Sequence, residues 1–230
     1  MNIKIIHDAK QATGLAIIID VFRAFTVEPY LFYNGVEKLI PVGDKEIAYD
    51  LKEKNKEYIL VGERNGIKLP GFDYGNSPSQ IKNIDFSKRT VVHTTSCGTQ
   101  GIVNAINADE IITGSLVNAN AIVKYIKQNN FKDISIVSMS RPNELPSDED
   151  ELCARYIKSL LEDKLLENLE NEVEKLKLTS GKKFFDSNNE ENFPKEDFYL
   201  CVEINKFNFV LRVNKDKAEN GMLYIEKIEI

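Results

Sequence analysis

The chain has no tryptophan, only three cysteines and two histidines, and no apolar run long enough to cross a bilayer. Cys97, Cys153 and Cys201 include no Cys-x-x-Cys pair. With that spacing and an odd count, neither a disulfide framework nor a structural zinc site is expected. His7 and His93 lie far apart with no ligand spacing between them. His93 alternates with apolar neighbours and reads as a packed or partly solvated strand residue. The longest apolar run, Leu15 to Ile19, is far short of a membrane span. Asn2, Lys4, His7 and Asp8 around a short apolar segment do not make a signal peptide. A soluble, cytoplasmic protein without membrane partners is expected. Positive charge is in deficit, with 30 Lys and Arg against 36 Asp and Glu. The net charge of -6 argues against a general nucleic-acid binder, yet leaves room for a local basic pocket.

A core, by contrast, is well supplied. Hydrophobic residues make up 42% of 230 positions, which suits one large domain or two lobes and excludes global disorder. Strand-like and helix-like segments alternate. Leu15–Val21, Lys38–Val42, Tyr58–Val61, Thr90–Thr95, Glu110–Thr113 and Ile134–Ser138 read as strands. Ala24–Tyr33, Lys45–Lys54, Thr99–Asn107, Val117–Gln128 and Asp148–Leu161 read as helices. The pattern predicts a layered α/β/α fold with a largely parallel or mixed sheet. It forms one unit, with room for two lobes around a cleft and a boundary near residues 115–180. Leu161–Leu178, dense in Leu, Glu and Lys, reads as an exposed helix or lobe connection. Lys182–Lys195 is polar and Asn-rich, a surface loop. Phe198–Ile204, Phe207–Val213 and Met222–Ile228 alternate apolar and polar residues. The last two read as a hairpin around Asn220-Gly221.

The most informative stretch runs from Gly62 to Pro78. It follows the Tyr58–Val61 strand and sets Glu63, Arg64, Lys68, Asp73, Asn76 and Ser77 among glycines and prolines. Long aperiodic loops inside a compact domain are often functional. Carboxylates that hold a hard cation, beside Arg and Lys that hold an anion, suit a phosphorylated substrate with a divalent metal.

Other junctions carry weaker signals. Asp20 ends an apolar strand, at the edge where α/β sheets bind ligands. Arg23 follows, and a helix cap with a surface Arg is the plain alternative. Thr94-Thr95-Ser96-Cys97-Gly98-Thr99 joins strand to helix, so its hydroxyls and amides face either a phosphate or ordinary capping duty. Ser115 sits at a third such junction. Ser77-Pro78 reads as an N-cap with proline at the first helical position. Asp148-Glu149-Asp150 caps the next helix, with a metal ligand as the lesser reading. Cys97 is expected to be structural. A thiol phosphatase needs an Arg six residues on, where this chain has Val103; Cys153 has Ser159 there.

Taken together, these stretches resemble the 2-phosphosulfolactate phosphatase family. The matching segments are Asp20-Val21-Phe22-Arg23-Ala24-Phe25-Thr26, Gly62-Glu63-Arg64 and Gly71-Phe72-Asp73-Tyr74-Gly75-Asn76-Ser77-Pro78. Thr94 to Thr99, Gly114-Ser115 with Asn118-Ala119, and Glu149-Asp150 with Ala154 follow in the family's order. The resemblance spans roughly residues 15 to 160. Many relatives carry Asn-Gly-Thr where this chain has Cys97-Gly98-Thr99. The resemblance implies an unusual α/β fold and magnesium-dependent release of phosphate from 2-phosphosulfolactate, a step towards coenzyme M. On that basis Asp20, Asp73 and Glu63 are expected to hold Mg²⁺, and Arg23 and Arg64 to clamp the anionic groups. Asn76, Ser77, Thr94, Thr95, Gly98, Thr99 and Ser115 are expected to bind substrate. The sequence leaves a homodimer open.

Two rivals remain. A haloacid-dehalogenase-type phosphatase would use Asp20 as nucleophile, but its second Asp is replaced by Phe22. A non-catalytic binder of small anions would need no metal-binding carboxylates, whereas Asp20, Glu63 and Asp73 are all present.

Overall fold

The structure, a computed structural model, describes residues 1–139, 147–219 and 222–230. In chain order the elements are β1 (Asn2–Ile6), β2 (Gly14–Ile19), α1 (Ala24–Tyr33), β3 (Lys38–Pro41), α2 (Lys45–Lys54) and β4 (Ile59–Arg64). Then come β5 (Ile67–Lys68), α3 (Pro78–Ile81), β6 (Thr90–Thr94), α4 (Gly98–Asn104), β7 (Ala108–Gly114) and α5 (Ala119–Asn129). The chain ends with β8 (Asp133–Ser138), α6 (Asp148–Leu161), α7 (Leu169–Leu176), α8 (Lys195–Cys201), β9 (Phe209–Glu219) and β10 (Met222–Glu229).

The described strands form one mixed sheet in the order β1-β8-β2-β7-β9-β10-β3-β6-β4-β5. Two parallel blocks, β1-β8-β2-β7 and β3-β6-β4, are joined through the antiparallel β9–β10 hairpin. The hairpin matches the expected C-terminal strands; its proposed turn, Asn220-Gly221, lies outside the described residues.

The sheet curls around α1. The helix sequence AFTVEPYLFY is apolar on nearly every side, and Ala24 to Phe32 are all buried. A helix with no polar face must be enclosed. Its neighbours in the core include Ala16 and Ile18 of β2, Leu39 of β3, Val61 of β4, Val91 of β6 and Ile111 of β7. The alternate side chains of β2, Leu15, Ile17 and Ile19, face outward and pack with α5 and α6 residues such as Ile122 and Ile157. Burial on both faces explains why β2 reads as an unbroken apolar run. On the other block, Ile40, Leu60 and Val92 pack under α2.

The curl fixes where the site falls. β2 and β4 stand six strand intervals apart in the sheet, about 29 Å along a flat sheet at ~4.8 Å per strand. Yet the residues at their carboxyl ends, Asp20 and Glu63, line one cavity. Helix α4, which follows β6, lies against β2: a Cβ at Gly101 would stand 2.5 Å from Ile18 Cγ2.

Several expectations change. Gly62, Glu63 and Arg64 belong to β4, not to a loop, and the last two pair with β5 across an Asn65-Gly66 turn. Both turn residues have positive φ, 56° and 81°, as a two-residue type I′ hairpin requires. Leu161–Leu178 is not one helix: the chain turns after α6 and resumes as α7. Residues 180–185 form a 3₁₀ turn that buries Phe184, not an open loop. Phe198–Ile204 is mostly helix α8, opened by Pro194 with Glu196 and Asp197 in its first turn. Strand β1, which the sequence shows only as a short apolar segment, pairs with β8 at the sheet edge. Among the described residues no helix is long and apolar enough to cross a membrane.

Gly101→Ala tests the close packing of α4 on β2. Elsewhere in a helix this change adds about 1 kcal/mol. Here the new methyl meets Ile18 Cγ2 and, at 2.8 Å, Met139 Sδ. A net loss of about 1–3 kcal/mol is expected from overpacking, read by urea denaturation. A stabilised variant would refute the tight contact.

Candidate active site

A cavity of about 400 Å³ opens where β2, β4, α4 and α6 converge. That size lies within the range of small-molecule sites, about 300–1,000 Å³. Its lining includes Asp20, Arg23, Glu63, Asn76, Glu149, Asp150 and Lys183.

Asp20 follows the last residue of β2 and is held by Ala24 N–H, which donates to its Oδ1 at 3.3 Å. Gly98, the first residue of α4, is packed against it: a Cβ there would stand 2.9 Å from Asp20 Oδ2 and 3.0 Å from Phe25 Cζ. Glycine at 98 is thus required by close approach. Asp150, in the first turn of α6, accepts from Val21 N–H at 2.7 Å and so joins α6 to the chain after β2. Glu149 beside it is 4% exposed, and its Oε2 is buried with no hydrogen-bond partner. Glu63 is engaged: Oε1 accepts from Ser96 N–H at 2.7 Å, and Oε2 from Ser96 Oγ at 3.0 Å and from Gly66 N–H.

These carboxylates strain one another. Burial, then the charge of Glu63, pushes the Asp20 carboxyl up to about 7, with the Ala24 hydrogen bond and Lys183 opposing. Burial raises Glu149, against Lys183 and the Ser180 side chain. Burial, Glu149 and Asp20 together hold Asp150 well above the usual carboxylate range. Burial lifts the Cys153 and Cys201 thiols too, so neither is poised as a thiolate nucleophile.

Arg23 lines the cavity but is largely committed to the protein. Nη1 donates to Asp197 Oδ2 at 2.8 Å and to the Asn192 carbonyl at 2.9 Å, and Nη2 to the Gly66 carbonyl at 2.9 Å. Phe193 covers it, with the guanidinium carbon 4.8 Å from the ring centroid. Lys183 stands in a cluster of rings, its Nζ 5.8, 5.5 and 5.6 Å from the centroids of Phe22, Phe184 and Phe193. No hydrogen bond to another described side chain holds it, so its charge is available to the cavity.

Of the residues expected from sequence, Asp20, Arg23, Glu63 and Asn76 come together, with Gly98 beside them. Others are placed elsewhere. Asp73 lies outside the cavity: its Oδ2 accepts from Leu60 N–H at 2.8 Å and from Lys52 Nζ at 3.3 Å, fixing β4. Arg64 turns away to the Gly43 carbonyl and Thr94 Oγ1, at 3.1 and 2.9 Å. That also occupies Thr94. Thr95 and Thr99 bond reciprocally at the start of α4, N–H to Oγ1 at 2.9 and 3.0 Å. Ser77 is the N-cap of α3 with Pro78 in its first turn, as expected, but its hydroxyl donates to Asp197 Oδ1, and it is that carboxylate which accepts from Ser79 N–H. Ser115 pairs with Thr26 Oγ1 at 2.8 Å, within the core. Cys97 lines the cavity wall.

Lys183 escaped the sequence reading because it sits in the polar, Asn-rich Lys182–Lys195 stretch, and Ser180 because it falls just before it. The signal was the Phe184-Phe185 pair, too apolar for an open loop. Glu149 and Asp150 read first as a helix cap, since acidic first turns are ordinary. What separates them from Asp148, which has no such place, is burial.

The arrangement defines an α/β protein whose strand ends enclose a small cavity, rich in carboxylates and facing one lysine. A family model described as 2-phosphosulpholactate phosphatase matches residues 3–216. The chain belongs to that family of phosphoric monoester hydrolases. It is 30% identical over 213 residues to a probable 2-phosphosulfolactate phosphatase of Bacillus subtilis, covering 91% of both chains. A probable 2-phosphosulfolactate phosphatase of Thermoplasma volcanium is 31% identical over 208 residues, covering 90% of this chain and 93% of its own. One from Clostridium perfringens is 34% identical over 186 residues, covering 79% and 73%.

The raised Asp20 carboxyl makes stability depend on pH in metal-free protein. Unfolded, the group titrates near 3.8; folded, near 7. Between these values the folded state holds an extra proton, so stability falls as pH rises and is lowest above the folded value. In EDTA, the thermal midpoint is expected to be higher at pH 6 than at pH 8. Asp20→Asn should flatten that slope. An equally steep slope in the variant would place the titration elsewhere.

Proposed function

We propose that this protein hydrolyses the phosphate ester of 2-phosphosulfolactate to sulfolactate and phosphate, with Mg²⁺ as cofactor. The observation that carries this reading is the buried carboxylate group of Asp20, Glu149 and Asp150 facing Lys183. The names of the relatives support the substrate.

The carboxylates fit a hard cation. Glu149 Oε2 is a buried oxygen with no partner, and hard divalent ions take oxygen ligands. Among the described residues no three side chains form a ready-made metal centre. That suits Mg²⁺, which keeps several waters and is commonly held by one or two carboxylates plus substrate phosphate oxygens. Asp20 and Glu149 are the ligands we assign, with Asp150 beside them; Glu63 is committed to Ser96 and Gly66, and Asp73 lies elsewhere. When bound, the ion neutralises phosphoryl charge and activates water.

The protein's own groups do the rest. Lys183 meets the second acidic group of the substrate as a point charge. Phe22 and Phe193 flank that ammonium, with ring centroids 5.8 and 5.6 Å from Nζ, and orient it by cation–π attraction. Arg23 acts mainly through structure, holding Gly66 and residue 192 in place around the cavity.

Phosphate release from 2-phosphosulfolactate, with and without EDTA, tests the activity. Turnover should require Mg²⁺. Asp20→Asn should lower kcat by at least about a hundredfold, given the scale of charge stabilisation at such sites. Lys183→Met should raise KM by about tenfold or more, the worth of a charge-assisted contact, with a smaller effect on kcat. Undiminished turnover after thorough chelation would remove the metal from the reading. An unchanged KM in Lys183→Met would remove the lysine.

A further inference from the structure

Behind the cavity wall lies a polar chain that the proposed chemistry does not use. Glu28, on the enclosed helix α1, accepts from Thr113 Oγ1 through Oε2 at 3.0 Å. Its Oε1 lies 3.0 Å from His93 Nδ1. His93 Nε2 lies 3.0 Å from Asn76 Oδ1. Glu28 and His93 are wholly inaccessible, with Asn76 at 3%. Only Asn76 reaches the cavity lining.

We propose that Glu28 and His93 are positioning residues that fix the Asn76 side-chain amide with its nitrogen toward the cavity, as a donor to a substrate anion. This rests on the reading of the cavity as a phosphate-ester site. An amide oxygen only accepts, so His93 Nε2 donates to Asn76 Oδ1. On the other side of the ring, Nδ1 and Glu28 Oε1 share a hydrogen bond that fixes the ring's orientation. Once Oδ1 is held, the amide cannot flip without losing that bond. Its Nδ2 has no hydrogen-bond partner among the described residues, so both N–H groups are left for a ligand. An amide nitrogen donates and does not accept. In that orientation it suits phosphate or sulfonate oxygens and disfavours a cation.

The arrangement also accounts for an ionisable pair deep in the core. Such a pair is weak evidence for stability, because desolvation offsets its attraction. Four elements contribute to it: α1 supplies Glu28, β7 Thr113, β6 His93, and the segment before α3 Asn76. A contact so placed transmits the rigidity of the core to one amide at the cavity surface.

The test uses binding of inorganic phosphate to the Mg²⁺-loaded full chain, followed by calorimetry, together with kcat/KM. Asn76→Ala should weaken phosphate by about ten- to a hundredfold, as for a lost hydrogen bond to a charged group. His93→Phe should do the same. The double variant should be no weaker than either single one, because His93 acts only through Asn76. Since His93→Phe strands Glu28 in the core, Glu28→Met/His93→Phe is the companion, an apolar pair of similar volume. Circular dichroism checks each fold. Losses that multiply in the double variant would mean that His93 merely supports the fold, and would overturn the proposal. So would unchanged phosphate affinity in Asn76→Ala. Should the core variants not fold, the ¹⁵N-labelled wild type decides. The Asn76 amide signal, assigned by its absence in Asn76→Ala, must shift on phosphate addition; a stationary signal refutes the donor role. Phosphate binding that obeys this cycle in a protein that does not cleave 2-phosphosulfolactate would instead count against the proposed reaction alone.

Discussion

The cavity's walls are tied together by the ion pair between Arg23 and Asp197, 2.8 Å apart and shielded from water. Arg23 lies between β2 and α1, and Asp197 on α8, far along the chain. Asp197 also receives Ser77 Oγ and Ser79 N–H, and Arg23 reaches the β4–β5 turn at Gly66 and the carbonyl of Asn192. One guanidinium and one carboxylate thus satisfy polar groups from separate segments. Removing either partner would leave a buried charge unpaired, which typically costs about 3–5 kcal/mol. The expected phosphate clamp is therefore engaged by the architecture, and on the proposed reading it is Lys183, among its three rings, that meets the ligand.

This division follows from the curl of the sheet. Helix α1 is buried from Ala24 to Phe32 and apolar on nearly every side, so the sheet must wrap it, and wrapping brings the carboxyl ends of β2 and β4 to one place. In an open α/β sheet ligands gather at the carboxyl ends of neighbouring strands. Here the strands are six intervals apart in the sheet, and the crevice lies between two parallel blocks. Short connections can then deliver Asp20, Glu63 and Glu149 to one cavity from three separate elements.

Much of this was legible in sequence. The alternation of strands and helices gave the layers, because an apolar run such as Leu15-Ala16-Ile17-Ile18-Ile19 has few other fates. Asp20 was legible for the same reason: a charge that stops such a run must sit at the sheet edge. The direction of side chains beyond the edge was not. Glu63, Arg64 and Asp73 lie within one short stretch, yet only Glu63 faces the cavity. Adjacent strand residues point to opposite faces, which separates Glu63 from Arg64, and Asp73 turns back to Leu60 N–H. Phe198–Ile204 is apolar at nearly every position, which suits a strand or a short helix alike. Its Pro194, Glu196 and Asp197 were the better signal. Lys183 was hidden because the Phe184-Phe185 pair beside it hints that the stretch folds inward but not where; that depends on Phe184 finding Phe22 and Phe198.

The sign of the cavity is the remaining physical problem. Asp20, Glu63, Glu149 and Asp150 line it against Arg23 and Lys183, and Arg23 is already balanced by Asp197. Such a cavity repels an anion bearing phosphate, carboxylate and sulfonate. Protonation of the carboxyls would relieve the repulsion, and the raised Asp20 group shows that the fold already leans that way. A divalent cation would relieve it without a proton and would add a favourable charge for the phosphoryl oxygens. On the proposed reading, cation and substrate therefore bind with positive coupling, since each removes charge that opposes the other. The same physics makes neutral donors valuable. An amide N–H adds attraction for an anion without competing for the carboxylates that hold the cation. An asparagine locked by a buried histidine supplies that in a crowded acidic cavity, where another lysine would form an ion pair with Asp20 or Glu149 and lose its charge to the protein.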